Sequence, residues 1–168
     1  DPDVIAGQGT VGLEIHEDVP KADLVLVGIG GGALISGIAI VLKKLNPKVQ
    51  IIGVEPEGAA TMTAALESGK SVKLEKIQTV AEGLAAPFAG ALPLQVTQKY
   101  VDDVILVSDA EIIAAVQVLL QRAKLLVEPA GAAGVAAMLS GRIPVSGKKV
   151  VPVLSGGNLA LDRLREWL

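Results

Sequence analysis

A strand that runs directly into closely spaced glycines and then into a helix has few ways to fold. Residues Asp23 to Leu45 read DLVLVGIGGGALISGIAIVLKKL. The run Asp23–Gly28 is apolar, rich in β-branched residues and bounded by charge and glycine, which predicts a buried strand. Gly28, Gly30, Gly31 and Gly32 punctuate its exit, and Leu34, Ile35, Ile38, Leu42 and Leu45 then recur at helical spacing. Such a junction makes an anion cradle: N–H groups free of Cβ atoms close on the oxygens, and the positive end of the helix dipole faces them. It serves equally as a tight turn that needs glycine only for its shape. Gly28 to Ala33 also fits the G-x-G-x-x-G/A fingerprint of nicotinamide-type dinucleotide domains, with Glu55 closing the next strand where a ribose-binding acid would stand.

The remainder of the chain repeats the alternation. Strands are expected at Val49–Val54, Val101–Val107 and Lys149–Leu154. Helices are expected at Gly58–Ser68, Ala91–Tyr100, from the Ser108–Glu111 capping box to Leu120, at Pro129–Met138, and at the end of the chain to Trp167. Asp1-Pro2-Asp3 is a plausible helix start, but Gly7, Gly9 and Gly12 weaken the helix that would follow. Lys70–Pro87 reads as a loop with a short extended piece. Strands apolar on both faces and separated by helices predict a single α/β domain over residues 1–168, a three-layer αβα arrangement around an open, mainly parallel sheet of about four strands.

Composition narrows the function classes. With one Phe, one Tyr and one Trp among 168 residues, the core must be built from Val, Ile, Leu and Ala. A net charge of −3, with both signs interspersed, argues against nucleic-acid or anionic-membrane partners. Zero cysteines exclude disulfides, thiolate metal sites and a cysteine nucleophile, and suit a cytoplasmic protein. The apolar runs are too short to span a membrane, and the N-terminus has no signal-peptide pattern.

In an open α/β sheet ligands gather beyond the carboxyl ends of the strands. Three features land there: the glycine loop, Glu55, and Ser155-Gly156-Gly157-Asn158. The last is either half of a polar-ligand grip or a turn followed by a helix cap. Glu128 precedes the helix that starts at Pro129, where a carboxylate commonly complements the helix dipole. His16, the only histidine, sits among Glu14, Glu17 and Asp18 and reads as solvated. Lys124, ahead of an apolar LLV, is the least ordinary lysine.

Six segments then come in a telling order: GQGTVGLEI (Gly7–Ile15), VGIGGGALISG (Val27–Gly37), GVEPEGA (Gly53–Ala59), AEGLAAP (Ala81–Pro87), KLLVEPAGA (Lys124–Ala132) and VLSGGN (Val153–Asn158). In this order the chain resembles the threonine dehydratases, fold-type-II enzymes that use pyridoxal phosphate, alongside serine racemase. The resemblance covers essentially the whole chain and leaves the dinucleotide domain, or a ligand-free interaction fragment, as the second reading. It implies that Gly30, Gly31, Gly32, Ala33 and Leu34 offer N–H groups to the cofactor phosphate. Ala33 replaces the last of four glycines usual in the family, which is harmless only where φ is negative. It further implies that Ser155 meets the pyridine nitrogen, and that Gly83 and Glu128 line the ring. A hydroxyl at the ring nitrogen, unlike a carboxylate, need not keep it protonated, which suits β-elimination of water from L-serine or L-threonine.

The family's Schiff-base lysine and its ring-contacting asparagine belong to an N-terminal half, and this chain begins after the positions that would match them. The resemblance therefore implies a C-terminal, cofactor-binding portion with no catalytic residue of its own, inactive alone and completed by the missing half, in a homo-oligomer. Serine racemase-like relatives hold a divalent cation near the segment matching Glu55–Thr61. Thr61 stands where they have an aspartate, so no tight metal site is expected.

Overall fold

Every residue of β1 (Leu24–Gly28) is buried. In the computed structural model, which describes residues 1–167, this strand lies between β2 (Gln50–Pro56) and β4 (Val150–Pro152), with β3 (Asp103–Val107) beyond β2. The four strands run in the order β3-β2-β1-β4, and every pairing is parallel. Val25 pairs with Ile51 on one side and Val151 on the other, so β1 is paired with β2 along its length and with β4 from Leu24 to Leu26. The expected strands are all present, their ends displaced by one or two residues.

Alternation along β1 sorts the core. Leu24 and Leu26 face one layer, with Ile112 and Val116 of α5 (Asp109–Val118) and the alanines of α6 (Pro129–Leu139). Val25 and Val27 face the other, with Ile35, Ile38 and Leu42 of α2 (Ala33–Leu45), Met62 of α3 (Thr61–Ser68) and Leu94 of α4 (Ala91–Tyr100). The three-layer arrangement is thus in place. A short α7 (Leu161–Arg165) closes the described chain. Small residues substitute for aromatic bulk: α6 is buried from Pro129 to Ala137, and a Cβ on Gly134 would lie 3.2 Å from the carbonyl oxygen of Leu26.

Three local departures from the sequence expectation have physical causes. The doubtful N-terminal helix is a full 17-residue α1 (Pro2–Asp18), N-capped by the Asp1 carboxylate. Gly9 and Gly12 make room for α2, whereas a Cβ on Gly7 would meet nothing within 4 Å. A Cβ on Gly12 would stand 3.0 Å from Val41 Cβ, and one on Gly37 of α2 would overlap the carbonyl oxygen of Ile5 and lie 2.5 Å from the nitrogen of Gly9. The helix expected from Gly58 begins instead at Thr61, after a 3-10 turn over Glu57–Ala59, because the capping group comes from elsewhere. The helix after Ser108 leaves α geometry at Leu119 and runs as a π-helix to Ala123. It stops at Lys124, which has φ 61° and whose N–H returns to the Leu119 carbonyl.

Two outcomes follow from this packing. Gly37→Ala should lower unfolding stability in urea by about 1–3 kcal/mol, the usual cost of overpacking a tight crossing. The Glu111 carboxyl, held below its ordinary value of 4.5 chiefly by the hydrogen bond from Arg142 at 2.7 Å, stabilises the fold above that pH. Its contribution should fade as pH falls through the lowered value. Thermal melts of Arg142→Ala across pH 3 to 6 should accordingly show a shallower acid-side decline, about the range over which carboxylates titrate.

Candidate functional site

With β2 and β3 on one side of β1 and β4 on the other, chain connections diverge between β1 and β4. That is the switch point of an open α/β sheet, where loops leaving the strands open a crevice. The cleft found there has a volume of about 560 Å³. Gly30, Gly31, Gly32, Ala33 and Leu34 line it from the β1–α2 junction, Ser155 from the segment after β4, Gly83 from the loop before α4, and Glu128 from the start of α6. All eight residues singled out for cofactor contact therefore meet in one place.

The junction is open to an anion. Among the described residues, no N–H from Gly30 to Ile35 has a backbone or side-chain partner, and the helix has no side-chain cap. The loop carbonyls are engaged away from it: Gly31 O accepts from Gly90 N–H at 3.2 Å, and Gly32 O from Ser36 N–H at 3.2 Å and Ser36 Oγ at 2.6 Å. Gly32 itself has φ +90°, whereas Ala33 is outside the positive-φ region, so the alanine costs the loop nothing.

The other loops touch through their backbones. A Cβ on Gly30 would lie 3.2 Å from the Gly83 carbonyl oxygen. Glu128 N–H donates to Gly156 O at 3.1 Å, fastening the segment after β4 to the start of α6. The Glu128 side chain makes no helix-capping bond. Its Oε1 lies 3.6 Å from where a Gly83 Cβ would stand, and a Cβ on Gly156 would collide with it. The carboxylate thus occupies a slot that exists because both neighbours are glycine. Ser155 is exposed at the cleft. The Ser155–Asn158 segment is irregular, and α7 starts three residues later, so it is not the cap of that helix.

Glu55, the ribose-binding acid of the dinucleotide reading, is not in the cleft lining. It is buried in β2 and its carboxylate accepts from Thr61, Met62 and Thr63 at the start of α3. Burial pushes its pKa up, a rise the surrounding hydrogen bonds oppose. The acid that the dinucleotide reading needs is therefore turned elsewhere. No group of three or more His, Asp or Glu with metal-binding geometry occurs among the described residues. His16 lies on α1 outside the cleft lining, and Lys124 donates its Nζ to Gln121 O on the exposed surface. Sequence reasoning missed Gln8 and Val11 of α1, which also line the cleft. The polar Gln8 within Gly7-Gln8-Gly9-Thr10 was the available signal.

Comparison with known proteins decides the family. The sequence pattern described as "Pyridoxal-phosphate dependent enzyme" matches residues 1–156. The chain belongs to that family. It is 46% identical over 164 residues to an L-threonine ammonia-lyase of Thermotoga maritima, a match spanning 98% of this chain and 41% of the relative. Among solved structures, the processed form of threonine deaminase isoform 2 from Solanum lycopersicum superposes with TM-score 0.93 at 34% identity, covering 99% of this chain and 49% of that one. Maize serine racemase gives TM-score 0.90 at 41% identity, over 96% and 50%. The chain spans about half the length of the relatives it matches. No described helix is long and apolar enough to cross a membrane.

Gly31 supplies the direct test of the cradle. A Cβ there meets nothing within 4 Å, so Gly31→Ala should leave unfolding stability within about 0.5 kcal/mol of the parent. Gly31→Asp should fold as well yet lose inorganic phosphate binding, measured by calorimetry, because its carboxylate enters the anion's space.

Proposed function

We propose that this chain is the cofactor-binding portion, one domain over residues 1–168, of a pyridoxal-phosphate-dependent ammonia-lyase. In the whole enzyme L-threonine or L-serine is converted to a 2-oxo acid and ammonia. The observation that carries this reading is the run of unpartnered N–H groups from Gly30 to Leu34 in the same cleft as Ser155, Gly83 and Glu128. A dianionic phosphate matches the donors at the helix N-terminus. A flat ring beyond it matches a cleft with glycine walls at Gly83 and a hydroxyl at Ser155. When bound, pyridoxal phosphate supplies a conjugated system that accepts the electron pair left at Cα when its proton departs.

Each residue of this chain then has a bounded role. Gly30 to Leu34 would hold the phosphate, Ser155 would hydrogen-bond the pyridine nitrogen without charging it, and Gly83 would leave room beside the ring. Glu128 borders the ring with a carboxylate that has room only because residues 83 and 156 lack side chains. No lysine of the described residues lines the cleft, which supports a base for the Cα proton outside this set. We assign that base to the remainder of a longer enzyme. The exposed Val4, Leu13, Leu92 and Leu126 support self-association or pairing with that remainder.

Pyridoxal phosphate should raise the melting temperature of the chain and NAD should not, since only a ligand of the native state stabilises it. Borohydride reduction in the presence of the cofactor should then give scattered, substoichiometric lysine labelling and no 2-oxobutyrate from threonine. One stoichiometrically labelled lysine with turnover, or stabilisation by NAD alone, would overturn the proposal.

A further inference from the structure

Glu55 is the one charged side chain fully buried in the described structure, and the cleft does not use it. Its Oε1 accepts from Met62 N–H at 2.6 Å and Thr61 Oγ1 at 3.3 Å, and its Oε2 from Thr63 N–H at 2.9 Å and Thr63 Oγ1 at 2.7 Å. Four donors thus converge on one carboxylate at the N-terminus of α3, whose own N-cap residue, Ala60, has no side chain able to cap. A local Ser or Asp would cap the helix without burying a charge carried on the sheet. What the remote carboxylate adds is position. It fixes the first turn of α3, in height and in rotation, against the carboxyl end of β2.

That first turn reaches the glycine loop. Met62, whose N–H is one of the four donors, is fully buried. Its Cε lies 2.8 Å from where a Cβ on Gly32 would stand, with Pro93 Cβ at 2.7 Å. Gly32 is the N-cap of α2, and its φ of +90° sets the direction of the N–H groups on either side. Met62 and Pro93 therefore leave this residue no space beyond its own backbone.

We propose that Glu55 is a positioning residue for the anion-binding loop, acting through Met62 on Gly32. It sets the loop's donor geometry without touching the ligand. The inference rests on the reading that this loop takes a phosphate.

The experiment is calorimetric titration of the 168-residue chain with inorganic phosphate, well below the melting temperature of every variant. Glu55→Gln, which turns an amide N–H₂ toward N–H donors, should weaken phosphate binding by about tenfold, the lower range for removing an outer-shell support. Met62→Ala leaves the carboxylate intact and should give a comparable loss, while Met62→Leu, which keeps the bulk against Gly32, should restore affinity. Leu164→Ala, in the opposite core layer, serves as the stability control and should lower the melting temperature without changing phosphate affinity. If Glu55→Gln does not fold, the Met62 pair carries the test. The proposal is overturned if the parent binds phosphate and the folded Glu55 and Met62 variants bind it equally well, or if Leu164→Ala loses affinity in parallel with stability. Failure of the parent itself to bind phosphate would remove the cofactor reading and this inference together, an outcome distinct from either.

Discussion

A strand desolvated on both faces and hydrogen-bonded on both edges leaves its chain a single outlet for unpaired polar groups, its end. β1 is such a strand. Its backbone is paired with β2 along its whole length and with β4 from Leu24 to Leu26, and Ile29 N–H still finds Val54 O at 2.8 Å. The longest run of N–H groups beyond the ladders starts at Gly30 and continues unpartnered into the first turn of α2. The sheet thus concentrates unsatisfied donors in one place, at the divergence between β1 and β4. The chemistry proposed for the cleft depends on that concentration more than on any side chain.

Close approach of backbones is the second theme. α1 meets α2 through Gly9, Gly12 and Gly37, α6 meets β1 through Gly134, and the cleft loops meet through Gly30, Gly83 and Gly156. With aromatic residues almost absent, Ala and Gly let helices and loops settle at distances where main-chain atoms make the contacts. Such packing yields shallow side-chain layers and narrow slots. The slot holding the Glu128 carboxylate is one of them.

The sequence made the architecture and the cleft readable to different depths. Periodicity sufficed for the strands, because residues such as Leu24 to Val27 are apolar on both faces and no helix pattern competes there. It undervalued α1, since propensity counts Gly9 and Gly12 as costs and cannot see that α2 requires them. Five of the eight expected contact residues are contiguous; strand-end logic pointed to Ser155 and a helix start to Glu128, and the family resemblance added Gly83 and the ring-side roles of all three. Gln8 was missed because a helix judged doubtful offers no face on which to place a residue. Glu55 was left open for another reason. At the end of a strand its carboxylate could serve a ligand or a helix, and only the tertiary placement of α3 shows that it serves the helix. The π-turn at Leu119–Ala123 has no local signature, because Lys124 is not a residue whose chemistry favours a left-handed conformation.

A cradle of main-chain donors has an evolutionary corollary. Exchanging one side chain for another cannot delete an N–H group, so drift along such a loop is policed by shape and not by chemistry. Ala33, a side chain within the loop, is one permitted step, since its φ is not positive. Gly32, clasped between Met62 and Pro93, is a forbidden one. Proline alone among the standard residues would erase a donor outright. The lineage of this loop is therefore expected to record many side-chain exchanges at its open positions, a fixed glycine at its hinge, and no proline.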